Sequence, residues 1–205
     1  MRVVFYTTYS SDNSTTQHLL RNRHLCKKNH MKTKLLLLSL LFTFFSCKED
    51  YNSSKLDQEV LFKTEYINYA WGYQHHGLLI DSSGKVWSYH LPKEWNFADA
   101  DGYISPEDMK DNYYQTEPTS ITINKDTLQK YYSKLTKAAY GDLSEPKTEM
   151  FDAGSTSFSG FIYHPKTKKY KEVLIRQIGD VYIENKSIEA MQIYNWLTSL
   201  KPQDQ

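Results

Sequence analysis

Cysteine is scarce in this chain: Cys26 and Cys47 are the only two among 205 residues. Residues 48–205 hold none, so that stretch has neither an internal disulfide nor a thiol nucleophile, and its stability must come from an ordinary core. Paired metal-ligand spacings of the Cys-x-x-Cys or His-Glu-x-x-His kind do not occur. The Gly-x-Ser-x-Gly elbow of many hydrolases and the glycine-rich phosphate loop are also missing. Long hydrophobic runs are lacking too. The longest uncharged, mostly apolar stretch is Leu35 to Phe45, 11 residues, whereas a membrane-spanning helix takes about 20. Nor is there a basic excess. The whole chain carries a net +1, but residues 47–205 carry 18 basic and 23 acidic side chains. That balance excludes the electrostatic footprint of a nucleic-acid binder.

What is present begins near the N-terminus. Lys32 and Lys34 precede the apolar run, and the small residue Ser46 follows it directly before Cys47. A positive start, a short apolar middle and a small residue at a cut site are the three parts of an export signal. Phe44-Phe45-Ser46-Cys47 resembles a lipobox, matching at Ser46-Cys47 and carrying Phe44 where leucine is usual. Lys48-Glu49-Asp50 resembles the acidic tract after the lipid cysteine in surface-exposed lipoproteins of the Bacteroidota. The resemblance implies a bacterial lipoprotein, acylated on Cys47, cleaved before it, and anchored in the outer membrane at the cell surface or on the periplasmic face. Several acyl chains give stable anchoring where one gives marginal binding. Residues 1–30 are polar and carry no second signal, so Met31 is expected as the true start, with 1–30 a start-site extension and 31–46 the signal peptide. Residues 47–58 read as a flexible tether.

Residues 59–205 read as one α+β domain. The expected fold is an antiparallel sheet of about five to six strands with two main helices. Gly77 to Asp81 and Lys85 to His90 flank Ser82-Ser83-Gly84, the pattern of a hairpin. In the second of these strands Val86, Ser88 and His90 share one face, and Trp87 and Tyr89 share the other. Further strands are expected at Val60 to Tyr69, Ser120 to Asn124, Ser157 to His164, Tyr170 to Gln177 and Val181 to Glu184. Leu91 to Thr119 reads as a long excursion with a short helix near Pro106, capped by Ser105. Asp126 to Tyr140 reads as a helix with Asp126 as N-cap and Gly141 at its stop, and Ser187 to Leu200 as the last helix.

Two groups carry candidate chemistry. Trp71, Tyr73 and His75, continued by Trp87 and Tyr89, combine stacking rings with hydrogen-bonding neighbours. Such a set suits a sugar or peptide partner, and it suits equally the packed face of a sheet. Asp99, Asp101 and Gly102 resemble the middle of an EF-hand calcium loop, with Asp108 at the closing position where glutamate is usual. An Asp- and Gly-rich turn before a Ser-capped helix accounts for the same letters. His75 and His76 are adjacent, so on a strand they face opposite ways and cannot share one metal; His90 and His164 are the residues that might join one of them across a sheet. The functional expectation is a membrane-anchored, non-catalytic binding domain for a protein or glycan partner, without a resident cofactor. The alternatives are a small envelope hydrolase and a calcium-stabilised module.

Overall fold

The computed structural model describes residues 58–200. Cys47, the expected signal peptide, residues 1–30 and the expected tether up to residue 57 lie outside them. The described chain is α+β. Its strands are β1 (Val60–Asn68), β2 (Gln74–Asp81), β3 (Lys85–His90), β4 (Tyr103–Ile104), β5 (Glu117–Thr122), β6 (Lys147–Thr148), β7 (Ser155–His164), β8 (Lys169–Gly179) and β9 (Val181–Glu184). Its helices are α1 (Pro106–Tyr113), α2 (Lys125–Ala138) and α3 (Ile188–Ser199). All strands pair antiparallel in one sheet of nine, ordered β5-β3-β2-β1-β7-β8-β9-β6, with β4 on the outer edge of β8. The expected count of about five to six strands is therefore corrected to nine, whereas the two main helices and the short helix near Pro106 are found as expected. The added strands β4 and β6 have two residues each, too short for any alternation to show.

Two meanders, β1-β2-β3 and β7-β8-β9, meet where β1 pairs with β7. The β2–β3 hairpin turns on Gly84, whose positive φ of 88° suits glycine. Its Asp81 carboxylate accepts from the Ser83 and Lys85 amides, the Ser83 hydroxyl and Trp87 Nε1. Burial pushes that carboxyl up, but these donors more than offset it and hold it below its ordinary range.

One face of the sheet is covered by α2 and α3, which pack side by side. Leu128, Tyr132, Leu135 and Ala138 recur at helical spacing and are buried against Phe62, Ile162 and Ile175. Gly160 on β7 admits the helix: a Cβ there would stand 2.4 Å from a Leu135 methyl. The N-cap of α2 is Asn124, whose side chain accepts from the Thr127 amide at 2.8 Å, and not Asp126, which sits in the first turn. Gly141 lies beyond the C-cap Ala139, and its role is clearance, since a Cβ would meet Asn185 Oδ1 at 2.2 Å.

The opposite face is covered by the 91–116 excursion, with Trp95 and Met109 over Leu79, Tyr89 and Phe161. Ser105 caps α1 as expected, accepting from the Asp108 amide. Gln58, assigned to the tether from sequence, is buried. It bonds the Val60 and Phe161 carbonyls, the Tyr132 hydroxyl and the Tyr163 amide, and so fixes the start of β1. No helix among the described residues is long and apolar enough to cross a membrane.

Candidate functional site

Strands β1, β2 and β3 present two different polar surfaces, one on each face of the sheet. On the face under the excursion, alternation points Lys63 and Glu65 inward together. Lys63 Nζ stands 3.0 Å from Glu65 Oε2 and 3.0 Å from Glu172 Oε1 of β8. Ser159 donates to the same Glu172 oxygen at 2.6 Å. Glu65 Oε1 lies 3.0 Å from His75 Nε2, and His75 Nδ1 lies 2.9 Å from the Tyr73 hydroxyl. The result is a continuous row, Ser159–Glu172–Lys63–Glu65–His75–Tyr73, running from the core to the surface.

The electrostatics of the row are self-consistent. Burial pushes the Lys63 ammonium down, but the carboxylates of Glu172 and Glu65 outweigh it and hold the group well above the ordinary lysine range. Burial pushes the Glu65 carboxyl up. The Lys63 charge and the hydrogen bonds from His75 and Lys63 overcome this and hold it at about 2. An ionised Glu65 only accepts, so His75 Nε2 must carry a hydrogen. In the neutral ring Nδ1 is then the acceptor and Tyr73 donates inward. The His75 ring is fully buried, stacked on Phe97 at 5.8 Å and edge-on to Trp95 and Tyr89. Tyr89 reaches the row across Gly77, which lies between Glu65 and Tyr89 in register. A Cβ on Gly77 would stand 2.6 Å from the Tyr89 hydroxyl.

The expected aromatic group is thus divided. Tyr73, His75 and Tyr89 come together in the row. Trp71 lies at the same end of the sheet, 76% exposed, its Nε1 donating to the Asp152 carbonyl. Tyr69 and Phe97 extend this exposed rim. Trp87 is elsewhere, packed on Tyr113 and donating to Asp81.

The acidic group is a turn. Asp99 Oδ1 accepts from the Asp101 and Tyr103 amides, and Asp99 Oδ2 pairs with Lys169 at 3.1 Å. Asp108 Oδ2 accepts from the Ser105 hydroxyl at the α1 cap. A cation at Asp99 would have to displace the lysine. Among the described residues no three or more His, Cys, Asp or Glu side chains gather as a metal site.

The helix side of the same strands holds what sequence reasoning missed. Beyond the C-terminal end of α3 no described helix covers the sheet, leaving a trough of about 1000 Å³. Its floor carries Thr64 and Tyr66 of β1, His76 of β2, Ser88 and His90 of β3, and Thr156 of β7. Phe158, Leu78, Leu197 and Leu200 form its apolar side. Tyr66 stacks on His76 at 4.9 Å. The side chains of Thr64, His76, Ser88, His90 and Thr156 form no hydrogen bond to another described residue. The alternation of His76, Ser88 and His90 was readable from sequence, but that no described helix covers them was not. His75 and His76 do face opposite ways, and His90 pairs with His76, while His164 sits apart beside Thr167 and Tyr103. No known protein family, curated protein or solved structure matches this chain.

Proposed function

We propose that the protein is a lipid-anchored lipoprotein of the bacterial envelope, joined to the outer membrane through Cys47, whose domain binds a ligand in the trough rather than transforming it. The trough carries this reading. A concavity of about 1000 Å³ is at the upper end of the range for small-molecule and cofactor sites. Its uncommitted hydroxyls and imidazoles beside Phe158 and Leu197 suit a largely uncharged, hydrogen-bonding ligand such as a glycan segment. The anchor is tested by labelled-palmitate incorporation into the parent chain and into Cys47→Ala. Label in the parent alone supports it, and equal label in both overturns it. Protease shaving of intact cells then separates a surface face from a periplasmic one. Binding is tested by NMR titration with oligosaccharides and with peptides. Shifts clustered at Ser88, His90 and Thr156 support the trough, and shifts confined to Tyr69, Trp71 and Phe97 move the site to the rim.

A hydrolase is the second reading, favoured by one observation: Tyr73, His75 and Glu65 are bonded in the order nucleophile, base, acid. Burial raises the Tyr73 phenol above its ordinary range, however, which keeps it protonated. Turnover of ester or glycoside substrates that Tyr73→Phe abolishes would establish this reading over the first.

A further inference from the structure

We propose that His76 and His90 form a two-imidazole site for a borderline transition-metal ion, zinc or copper(II), on the trough floor, with the remaining coordination positions open to the cavity. The register places the two residues directly opposite each other on neighbouring antiparallel strands. Directly opposed side chains in such a pair start from Cβ atoms about 5 Å apart and rise on the same face. The ring centroids are 6.1 Å apart and the planes differ by 35°. Modest rotation about χ1 and χ2 brings one nitrogen of each ring to one ion, at about 2.0–2.1 Å for zinc.

Two features suit this exposed pair to coordination. Neither ring has a hydrogen-bond partner among the described residues, so coordination breaks no existing bond. Both rings line a cavity that leaves room for water or a ligand atom on the ion. The strand backbones fix the spacing, which limits the reorganisation that binding requires. Imidazole ligands suit copper and zinc, and divalent affinity rises toward copper. The inference needs only the two rings; it stands whether or not the trough also holds a glycan.

The test uses the full chain with Cys26→Ser and Cys47→Ala in every sample, so that thiols do not contribute. Zinc is titrated by calorimetry, with copper(II) followed in parallel by its visible d–d absorption. The parent is compared with His76→Ala, His90→Ala and the double variant. The expected result is one equivalent lost in the double variant, with each single variant weakening that equivalent by about a hundredfold or more, since even outer-shell changes cost 10–100-fold. In imidazole NMR spectra of the parent, two histidine signals should move together with zinc, and both should be those missing from the double variant. Equal stoichiometry and affinity in the parent and the double variant would overturn the site. So would parent spectra in which zinc leaves the His76 and His90 signals unmoved, a readout that holds even if a variant misfolds.

Discussion

Replacing Lys63 by methionine keeps the length of the side chain and removes its charge, so the variant isolates the electrostatics of the buried row. In the parent, Lys63 lies between Glu65 and Glu172, and its side chain is 7% exposed. Methionine leaves the buried Glu65 and half-buried Glu172 carboxylates facing each other, with only His75, Tyr89 and Ser159 as donors. Breaking a buried pair by removing one partner costs about 3–5 kcal/mol. The Glu65 carboxyl gives an independent figure. It is held at about 2 against an ordinary 4.5, a difference worth about 3 kcal/mol of folding free energy. We therefore expect Lys63→Met to lose about 4 kcal/mol at pH 7, a large share of the roughly 5–15 kcal/mol of a typical domain. The pH dependence has a definite sign. In the parent the folded-state value is depressed, so the Glu65 contribution is present above about 4.5 and fades as pH falls toward 2. Without Lys63, burial is opposed only by the remaining donors, and the folded-state value is expected to rise above the ordinary one. The penalty is then fully present at neutral pH and is relieved as the carboxyls protonate. Urea denaturation of parent and variant at pH 7 and near pH 4 reads the difference. A loss below about 1 kcal/mol, or one that does not shrink on acidification, would refute this account of the row.

Gly77→Ala should cost about 3 kcal/mol or more, because the added Cβ falls 2.0 Å from the Thr64 carbonyl and 2.6 Å from the Tyr89 hydroxyl; thermal melts that match the parent would mean the strands part at no cost. Trp87→Phe removes the 2.8 Å donor to Asp81 and should lower stability by about 1–2 kcal/mol. Trp71→Ala, at an exposed position, should stay within about 0.5 kcal/mol, and equal losses at the two tryptophans would contradict their placement. Calcium should raise the melting temperature no more than magnesium, since Lys169 already pairs with Asp99. A calcium-specific rise that Asp99→Asn abolishes would show that the turn opens to take the ion.

Local signals carried much of the fold. Lys85–His90 and Val181–Glu184 have the expected bounds because alternation and the glycine turns that precede them, at Gly84 and Gly179, act within a few residues. The last helix begins where Ser187 caps it. Where the reading missed, two local rules competed or a partner lay far off in the chain. Asn124 and Asp126 are both capping types, and Asn124 prevails because its side chain meets the Thr127 amide. The role of Gly141 depends on Asn185, and the two-residue strands exist only because β8 and β9 stand beside them. The site divides in the same way. Opposed directions for His75 and His76, and a common face for Lys63 and Glu65, follow from period two. The entry of Glu172 into the row follows from β1 pairing with β7 and β7 with β8, a matter of topology.

The two faces are coupled through that periodicity. A slip of one residue in β2 against β1 would turn His76 under Trp95 and bring His75 into the trough, because each single-residue shift exchanges the faces. The apolar residues alone oppose such a slip only weakly here, since Leu78, Leu79 and Ile80 offer apolar side chains to both faces. The buried row opposes it strongly. After a slip, Glu65 would lose His75, its companion donor beside Lys63, and His75 would lose Tyr73. The charges beneath the excursion therefore hold the register that sets His76 opposite His90 on the other side of the sheet. It follows that Glu65→Gln with Glu172→Gln, which keeps the side-chain shapes but removes both charges and one of the two acceptors of Glu65, should disturb the ring signals of His76 and His90, although neither substituted side chain shares their face.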